Sequence, residues 1–493
     1  MCSNFARKNM NFLMSFFGRF LAFIPRSFAK SLCDGIGWLV AEFPSPRRRV
    51  IRANLRHCFP DMDEGKLRRV SIESCRRTIE MALFVLASPY ISIEELKRRV
   101  KLSGHLKEQL RLLEENPRPV VLMIPHFCMM ESITIMPAVS EYKLPRTGVF
   151  YRPFDNAGME KWIKSTRERY GINLLSRRDG LLVALDYVKR GDCIAILFDQ
   201  DAGSIGALSM FFDRVCSCSE IAGLLVERTK CLAGVFWARR TAFWESEIDG
   251  EYIEADSAER VVIKANRWLE DKLKTDEELC VDWLWLHKRW KTQSNPRKRF
   301  RIEQRKNHLR EYMDFYGLKK LPRKAEFFAA LPRDEAKLLD SLAAVEALRR
   351  SRPDAALHAL CVPQDAEFLG RTGLFESVSA IPEGDKSARD SALLKIKKLY
   401  PDVLINFGNG AFAELARRAV EPLQCFAFAC HGESSKANCL CRLDSAQSNL
   451  PYSEKLEIFM KYFGLEGEID KSLLAAKSRG EFLKSLELSR ARG

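Results

Sequence analysis

Short apolar runs recur along this chain, each closed by a proline, a glycine or a polar turn and each followed by a helical pattern. This alternation constrains the fold more than any other feature. The sharpest instance is the stretch 119–131, PVVLMIPHFCMME. Two prolines at 117 and 119 forbid a helix there, so 120–124 reads as a strand. Pro125 separates that strand from His126, and Glu131 falls where the next helix begins. Further strands are predicted at 148–151, 193–198 and 232–238, with helices between them. Strands alternating with helices predict an α/β domain with a largely parallel sheet. The polar signals follow the strands, at the ends where open α/β sheets bind ligands.

The flanking helices carry their own punctuation. Asp61 or Asp63 is placed to cap a helix running to about Ala87, and Asp155 or Asn156 to cap one that Gly171 ends. On the latter, Arg167 and Arg169 border the apolar face on opposite sides, and periodicity does not choose between them. After 310 the pattern restarts, with strands at 356–362, 403–407 and 425–429 and helices at 338–349, 391–398, 411–418 and 453–463. Gly408 and Gly410 follow the middle strand. This predicts a second, smaller Rossmann-like α/β domain. The division expected is an N-terminal segment over 1–45, a main domain over 46–295, a basic linker over 296–319 and the second domain over 320–480.

Charge and cysteine usage narrow the setting. A formal charge of +15, from 80 Lys+Arg against 65 Asp+Glu, favours an anionic partner such as a membrane surface, an acidic protein or phosphorylated lipid. The apolar run 12–24, FLMSFFGRFLAFI, is interrupted by Arg19 and is shorter than the roughly 20 residues a spanning helix needs. With Arg7, Lys8, Arg26 and Lys30 around it, it suits a helix lying in the membrane interface. A second apolar patch at 36–43 and the basic run Arg47, Arg48, Arg49, Arg52 and Arg56 extend that reading. The 15 cysteines are scattered and mostly inside apolar runs, as expected of reduced thiols in a cytoplasmic setting. Neither Cys216-x-Cys218 nor the set Cys425, Cys430, His431, Cys439, Cys441 has the paired knuckles of a zinc site, so no metal is expected.

A neutral imidazole takes a proton from an alcohol, and a neighbouring carboxylate stabilises the imidazolium; such help is worth about 10²–10⁴ in rate. His126 and Glu131 are spaced for this if His126 precedes the helix and Glu131 lies in its first turn. The residues in order are PHFCMME, then YRPFDN at 151–156, Arg167, DQDAG at 199–203, Phe211-Phe212 and WLWLHKRWK at 283–291. In this order the chain resembles the late acyltransferases of lipid A biosynthesis, within the lysophospholipid acyltransferase superfamily, over roughly 10–295.

That resemblance implies an acyltransferase-type mixed sheet flanked by helices. It also implies transfer of a fatty acyl group from acyl carrier protein to a hydroxyl of a lipid A precursor. The setting it implies is the cytoplasmic face of the inner membrane, with no cofactor beyond the carrier thioester and no nucleic-acid partner. His126 would be the general base, with Glu131 orienting and polarising it. The family's functional arginine falls on Arg167, and Arg152 and Arg167 would suit an acceptor phosphate or an oxyanion. Tyr151, Asp199 and Asp201 are implied on the substrate side. Where the family has a Thr-containing segment after the paired Phe, this chain has Cys216-Ser217-Cys218-Ser219. Rival readings are a glycerophospholipid acyltransferase using the same dyad and a non-catalytic lipid-binding scaffold. The region 320–475 resembles the N-terminal half of the GT-B heptosyltransferases through LAAVEALRRSRPDAALHAL, YPDVLINFG and EKLEIFMKYFGL. That family's Gly-Asp pair is replaced by Ala336-Lys337, and no counterpart of its nucleotide-sugar half is expected in the residues that follow. A relict or acceptor-docking module is therefore expected there.

Overall fold

The computed structural model describes residues 2–176, 180–302, 306–382, 384–408 and 411–492. Among the described residues the first unit has nine strands: β1 Val100–Leu102, β2 Val120–Ile124, β3 Thr147–Tyr151, β4 Asn173–Ser176, β5 Cys193–Leu197, β6 Ala207–Phe211, β7 Arg214–Cys218, β8 Leu232–Ala242 and β9 Glu245–Tyr252. Seven of them form one sheet in the order β1-β9-β8-β2-β5-β3-β4, and β6 and β7 form a separate antiparallel hairpin. Every neighbouring pair in the large sheet is parallel except β8–β9. The mixed sheet of the resemblance is therefore present, and the largely parallel sheet read from the alternation describes all but one pairing.

Strand β2 sits at the centre and shows why its sequence is apolar throughout. Val121 and Met123 enter one hydrophobic core, while Val120, Leu122 and Ile124 enter another on the opposite face. A strand covered by helices on both sides has no polar face to present. Caps behave as their chemistry predicts: Asp63 accepts from the Lys66 amide at the start of the helix Glu64–Ala87, and Asn156 accepts from the Gly158 and Met159 amides.

The N-terminus forms two helices, α1 Cys2–Phe23 and α2 Arg26–Glu42. They are bent by 117° at Ile24-Pro25, and among the described residues no single helix is long and apolar enough to cross a membrane. Their outer faces expose Phe16, Phe20, Phe28, Trp38 and Leu39, with Phe23 at 94% exposure.

The second unit carries β10 Ala325–Ala330, β11 Ala355–Cys361, β12 Ser377–Ala380, β13 Val403–Asn406, β14 Gln424–Ala429 and β15 Cys439–Arg442. All are parallel, in the order β12-β11-β10-β13-β14-β15. Numbered within the unit this is 3-2-1-4-5-6, the doubly wound Rossmann order. Gly410, expected after β13, lies outside the described residues. The chain continues past 480 as the helix Arg479–Arg492, whose Phe482 and Leu486 return to the same core.

The stretch 296–319 is packed against both units. Phe300 is fully buried against Phe426, Phe459 and Phe463 of the second, while Leu309 and Tyr312 join Leu208 and Met210 of the first. This is the stretch expected as a basic linker, and its apolar residues pack against both units.

Candidate active site

Strands β2 and β5 are parallel neighbours with Ile124 opposite Leu197. His126 and Asp199 each lie two residues beyond that pair, so the register brings together side chains 73 positions apart. The His126 Nδ1 lies 2.5 Å from Asp199 Oδ1, and the His126 amide donates to Asp199 Oδ2 at 2.8 Å. Trp283 Nε1 donates to the same Oδ2 at 2.7 Å. Asp199 is only 1% exposed. Burial pushes its carboxyl up, but the imidazole and these hydrogen bonds outweigh burial and hold it at about 2. It is a carboxylate at any physiological pH.

An ionised Asp199 accepts only, so the proton it binds sits on Nδ1 and leaves Nε2 as the basic lone pair. The Gln200 Nε2 amide lies 2.9 Å from that nitrogen and satisfies it. His126 is therefore held as the tautomer a general base requires. The expected contact between His126 and Glu131 is replaced by this one. Glu131 lies in the last turn before the helix Ser132–Val139, makes no side-chain cap bond, and is buried facing a different partner. Its two oxygens accept from Arg167 Nε at 3.0 Å and Arg167 Nη2 at 2.9 Å, a bidentate pair. The Glu131 charge, against the opposing pull of burial, holds Arg167 firmly protonated. Arg169 points elsewhere, onto the Pro89 carbonyl. Periodicity had left this choice open because both arginines flank the apolar face.

The remaining predicted residues separate. Tyr151 is half-buried and donates to Glu160, and Arg152 is exposed on the loop after β3. Asp201 braces the loop rather than facing the imidazole. Its oxygens accept from Thr292 Oγ1 at 2.7 Å, the Thr292 amide at 3.0 Å and the Gly203 amide at 3.0 Å. Its own amide donates to His287 Nε2 at 2.9 Å. His287 is kept neutral, pushed down to about 4 by burial and then by Arg289.

The 283–291 segment is the part that sequence reasoning underused. Trp283 bridges to Phe127, and the Leu284 amide donates to the His126 carbonyl at 3.1 Å, so this segment pairs along the turn that carries His126. Asn54 donates to the Trp285 and His287 carbonyls, both at 2.9 Å, and fixes the segment from the other side. Trp283 and Trp285 meet edge to face, and Phe211, Phe212 and Phe59 complete an aromatic wall that keeps water from Asp199. Fully buried Arg289 donates to the Ser217 carbonyl at 2.8 Å and contacts Cys218 Sγ at 3.0 Å. The Cys216–Ser219 departure is thus tied to the same segment, with Cys216, Ser217 and Cys218 buried in β7. The aromatic and basic pattern of WLWLHKRWK was the available signal, but it gave no direction for the individual side chains.

Beside Glu131 and Arg167 an apolar cavity opens against the β2 and β5 face, lined by Leu122, Ile124, Ile133, Met136, Leu174 and Leu197. The site therefore joins an oriented base, a fixed guanidinium and an apolar recess.

Residues 3–292 match the family model described as bacterial lipid A biosynthesis acyltransferase. A lipid A biosynthesis acyltransferase of Haemophilus influenzae is 26% identical over 286 residues, covering 55% of this chain and 86% of its own length. The Escherichia coli lipid A biosynthesis lauroyltransferase is 24% identical over 276 residues, covering 52% and 83%. A further match to a lipid A biosynthesis acyltransferase of H. influenzae, 25% identical over 190 residues, covers 38% of this chain and 58% of that protein. All the side chains assembled around His126 lie within the family-matched stretch.

Proposed function

This chain belongs to the bacterial lipid A biosynthesis acyltransferase family, and on that premise we propose that it moves a fatty acyl group from acyl carrier protein to a hydroxyl of a lipid A precursor. The observation that carries the chemistry is the His126–Asp199 hydrogen bond, which leaves Nε2 as the proton acceptor. The acceptor hydroxyl displaces the Gln200 amide at Nε2 and gives up its proton there as its oxygen attacks the thioester carbonyl carbon. The carbonyl electrons move to oxygen, then return as the C–S bond breaks. The imidazolium proton passes to the departing thiolate. Asp199 stabilises the imidazolium while it exists.

The Glu131–Arg167 pair places a positive charge at a fixed point, and Nη1 is the one Arg167 nitrogen not used in holding Glu131. We assign it to the developing oxyanion or the acceptor phosphate, with Arg152 reaching the phosphate from the rim. Tyr151 and Asp201 shape the site, the first through Glu160 and the second through Thr292. The apolar recess matches an acyl chain in character, and its volume of about 60 Å³ takes only a few methylene groups. The step requires no metal or nucleotide, because the thioester brings the acyl group already activated. The exposed aromatic face of α1 and α2 suits docking on the cytoplasmic face of the inner membrane. The basic surface suits an acidic carrier protein.

Purified protein should transfer acyl groups from acyl-carrier-protein thioester to a lipid A precursor. Parallel reactions with lysophospholipid acceptors separate this from glycerophospholipid acylation. His126→Ala should lower turnover by about 10³-fold or more. Transfer to neither acceptor, or turnover unchanged by the substitution, would defeat the proposal.

A further inference from the structure

Where the two α/β units meet, a cavity of about 510 Å³ lies between the helix Pro46–Cys58 and the 288–294 segment on one side and residues 402 and 422–438 on the other. Its charged lining is one-sided. Arg49, Arg214, Lys288, Lys291 and Arg299 face a single carboxylate, Asp402. His57 adds no charge, because burial and then Arg214 push it down to about 4.

The deepest part of this cavity carries an uncompensated charge. Arg214 Nη2 donates to both Asp402 oxygens at 2.8 and 2.7 Å, and Arg299 Nη2 lies 3.8 Å from the same carboxylate. All three side chains are at least nine-tenths buried. Two guanidiniums against one carboxylate leave a net buried positive charge, a costly arrangement unless a further anion balances it. Burial pushes Arg299 down to about 10 even with Asp402 beside it. Among the described residues neither Arg214 Nε nor Arg299 Nε finds an acceptor. Lys288 and Lys291 stand exposed at the mouth. A neighbouring hollow shares Arg49 and Asn438 and adds Arg417, Arg418 and Lys436 against one carboxylate, Glu421, which lies 3.9 Å from Arg49. Arg299, Asp402 and Lys436 lie beyond the family-matched residues 3–292, so this site arises from joining the second unit to the first.

We propose that this inter-unit cavity is a binding site for a phosphate-bearing ligand, held by Arg214 and Arg299 at its floor and by Arg49, Lys288 and Lys291 at its mouth. The Arg214 and Arg299 guanidiniums and the exposed lysines together match a phosphate's several acceptor oxygens. Because both units contribute, bound phosphate ties the second unit to the acyltransferase unit. The phosphate belongs either to a soluble ester or to a lipid headgroup, and the same cations would recognise both.

The test uses the full chain and two probes in calorimetric titrations: pyrophosphate, and dioctanoyl phosphatidic acid kept below its micelle concentration. Saturable binding of either probe, weakening as salt rises, is expected, and which probe binds identifies the source. Lys288→Gln/Lys291→Gln should weaken binding at least tenfold. So should Lys436→Glu, approached from the other unit. Circular dichroism melts matching the parent confirm that these surface variants fold. Saturable binding to neither probe overturns the proposal. So does binding that both variants leave unchanged, because the ligand would then sit elsewhere.

Discussion

Asp199→Asn isolates the orienting carboxylate with the smallest change in shape. In the parent, Asp199 accepts from three donors: the His126 amide, His126 Nδ1–H and Trp283 Nε1–H. An asparagine has one acceptor oxygen and one NH₂. If its oxygen takes the amide and the indole, which already share one carboxylate oxygen, its NH₂ faces Nδ1. Nδ1 must then become the acceptor, the ring proton moves to Nε2, and the base is lost. The carboxylate that would stabilise the imidazolium is lost as well. Turnover should fall about 10³- to 10⁴-fold with the KM for acceptor little changed. The fold should survive. An aspartate held at about 2 instead of 3.8 contributes stability that is present above about pH 4 and lost as pH falls through 2, at most about 2 kcal/mol. Single-turnover acyl transfer measures the rate, and ¹⁵N chemical shifts of the His126 ring report the tautomer. A variant within tenfold of the parent, or one whose Nδ1 remains protonated, would refute the assignment of Asp199 to His126.

Three further outcomes follow from the same geometry. Removing Glu131 with alanine leaves Arg167 charged and poorly paired, a cost of about 3 kcal/mol; denaturant melts of the two single variants and the Glu131→Ala/Arg167→Ala double should show less loss in the double than the singles sum to. Additive losses would mean the pair is not coupled. Asp282 is buried, neither of its oxygens has a hydrogen-bond partner among the described residues, and burial, opposed by Arg77, pushes its carboxyl up to about 7. Such an acid takes up a proton on folding, so its penalty grows as pH rises from about 4 to 7 and is full above that. Asp282→Asn should raise stability by about 2 kcal/mol at pH 8 and change it little near pH 4.5, and equal shifts at both pH values would contradict this. Finally, Phe16→Ser/Phe20→Ser/Phe23→Ser should weaken binding to anionic vesicles about 100-fold, at about 1 kcal/mol for each partly inserted ring, in a flotation assay; unchanged binding would remove these helices from the membrane contact.

A feature is legible in the sequence when it is local, and hidden when sheet order sets it. Val120–Ile124 could be read as a strand because prolines bound it and every position is apolar. The caps at Asp63 and Asn156 were among the residues predicted, because capping needs only nearby amides. The Rossmann-like character of the second unit was visible in its strand and helix alternation, whereas the 3-2-1-4-5-6 order was not. The strands β1, β4, β6, β7, β9, β10, β12 and β15 were not predicted; four of them have only three or four residues, and β9, reading ESEIDGEY, is too polar to stand out as an apolar run.

The partner of His126 was hidden for a specific reason. Sequence puts His126, Tyr151 and Asp199 each just past or at the end of a strand, so all three are candidates for one edge of the sheet. Which of them meet depends on which strands are neighbours, and β5 slips between β2 and β3 although it follows both in the chain. That insertion carries Asp199 to the imidazole. It leaves Glu131, the nearer carboxylate in sequence, free to pair with Arg167. A five-residue spacing made Glu131 the natural candidate, but on a turn entering a helix the side chain follows the helix face, not the residue that precedes it. The site thus uses two carboxylates for two tasks, and their difference is one of environment. Asp199 is locked among the His126 amide, the imidazole and an indole, fixing a tautomer. Glu131 pairs with the Arg167 guanidinium and fixes a charge. Substitutions at the two positions should therefore fail differently, Asp199 through the protonation state of the base and Glu131 through the placement of Arg167.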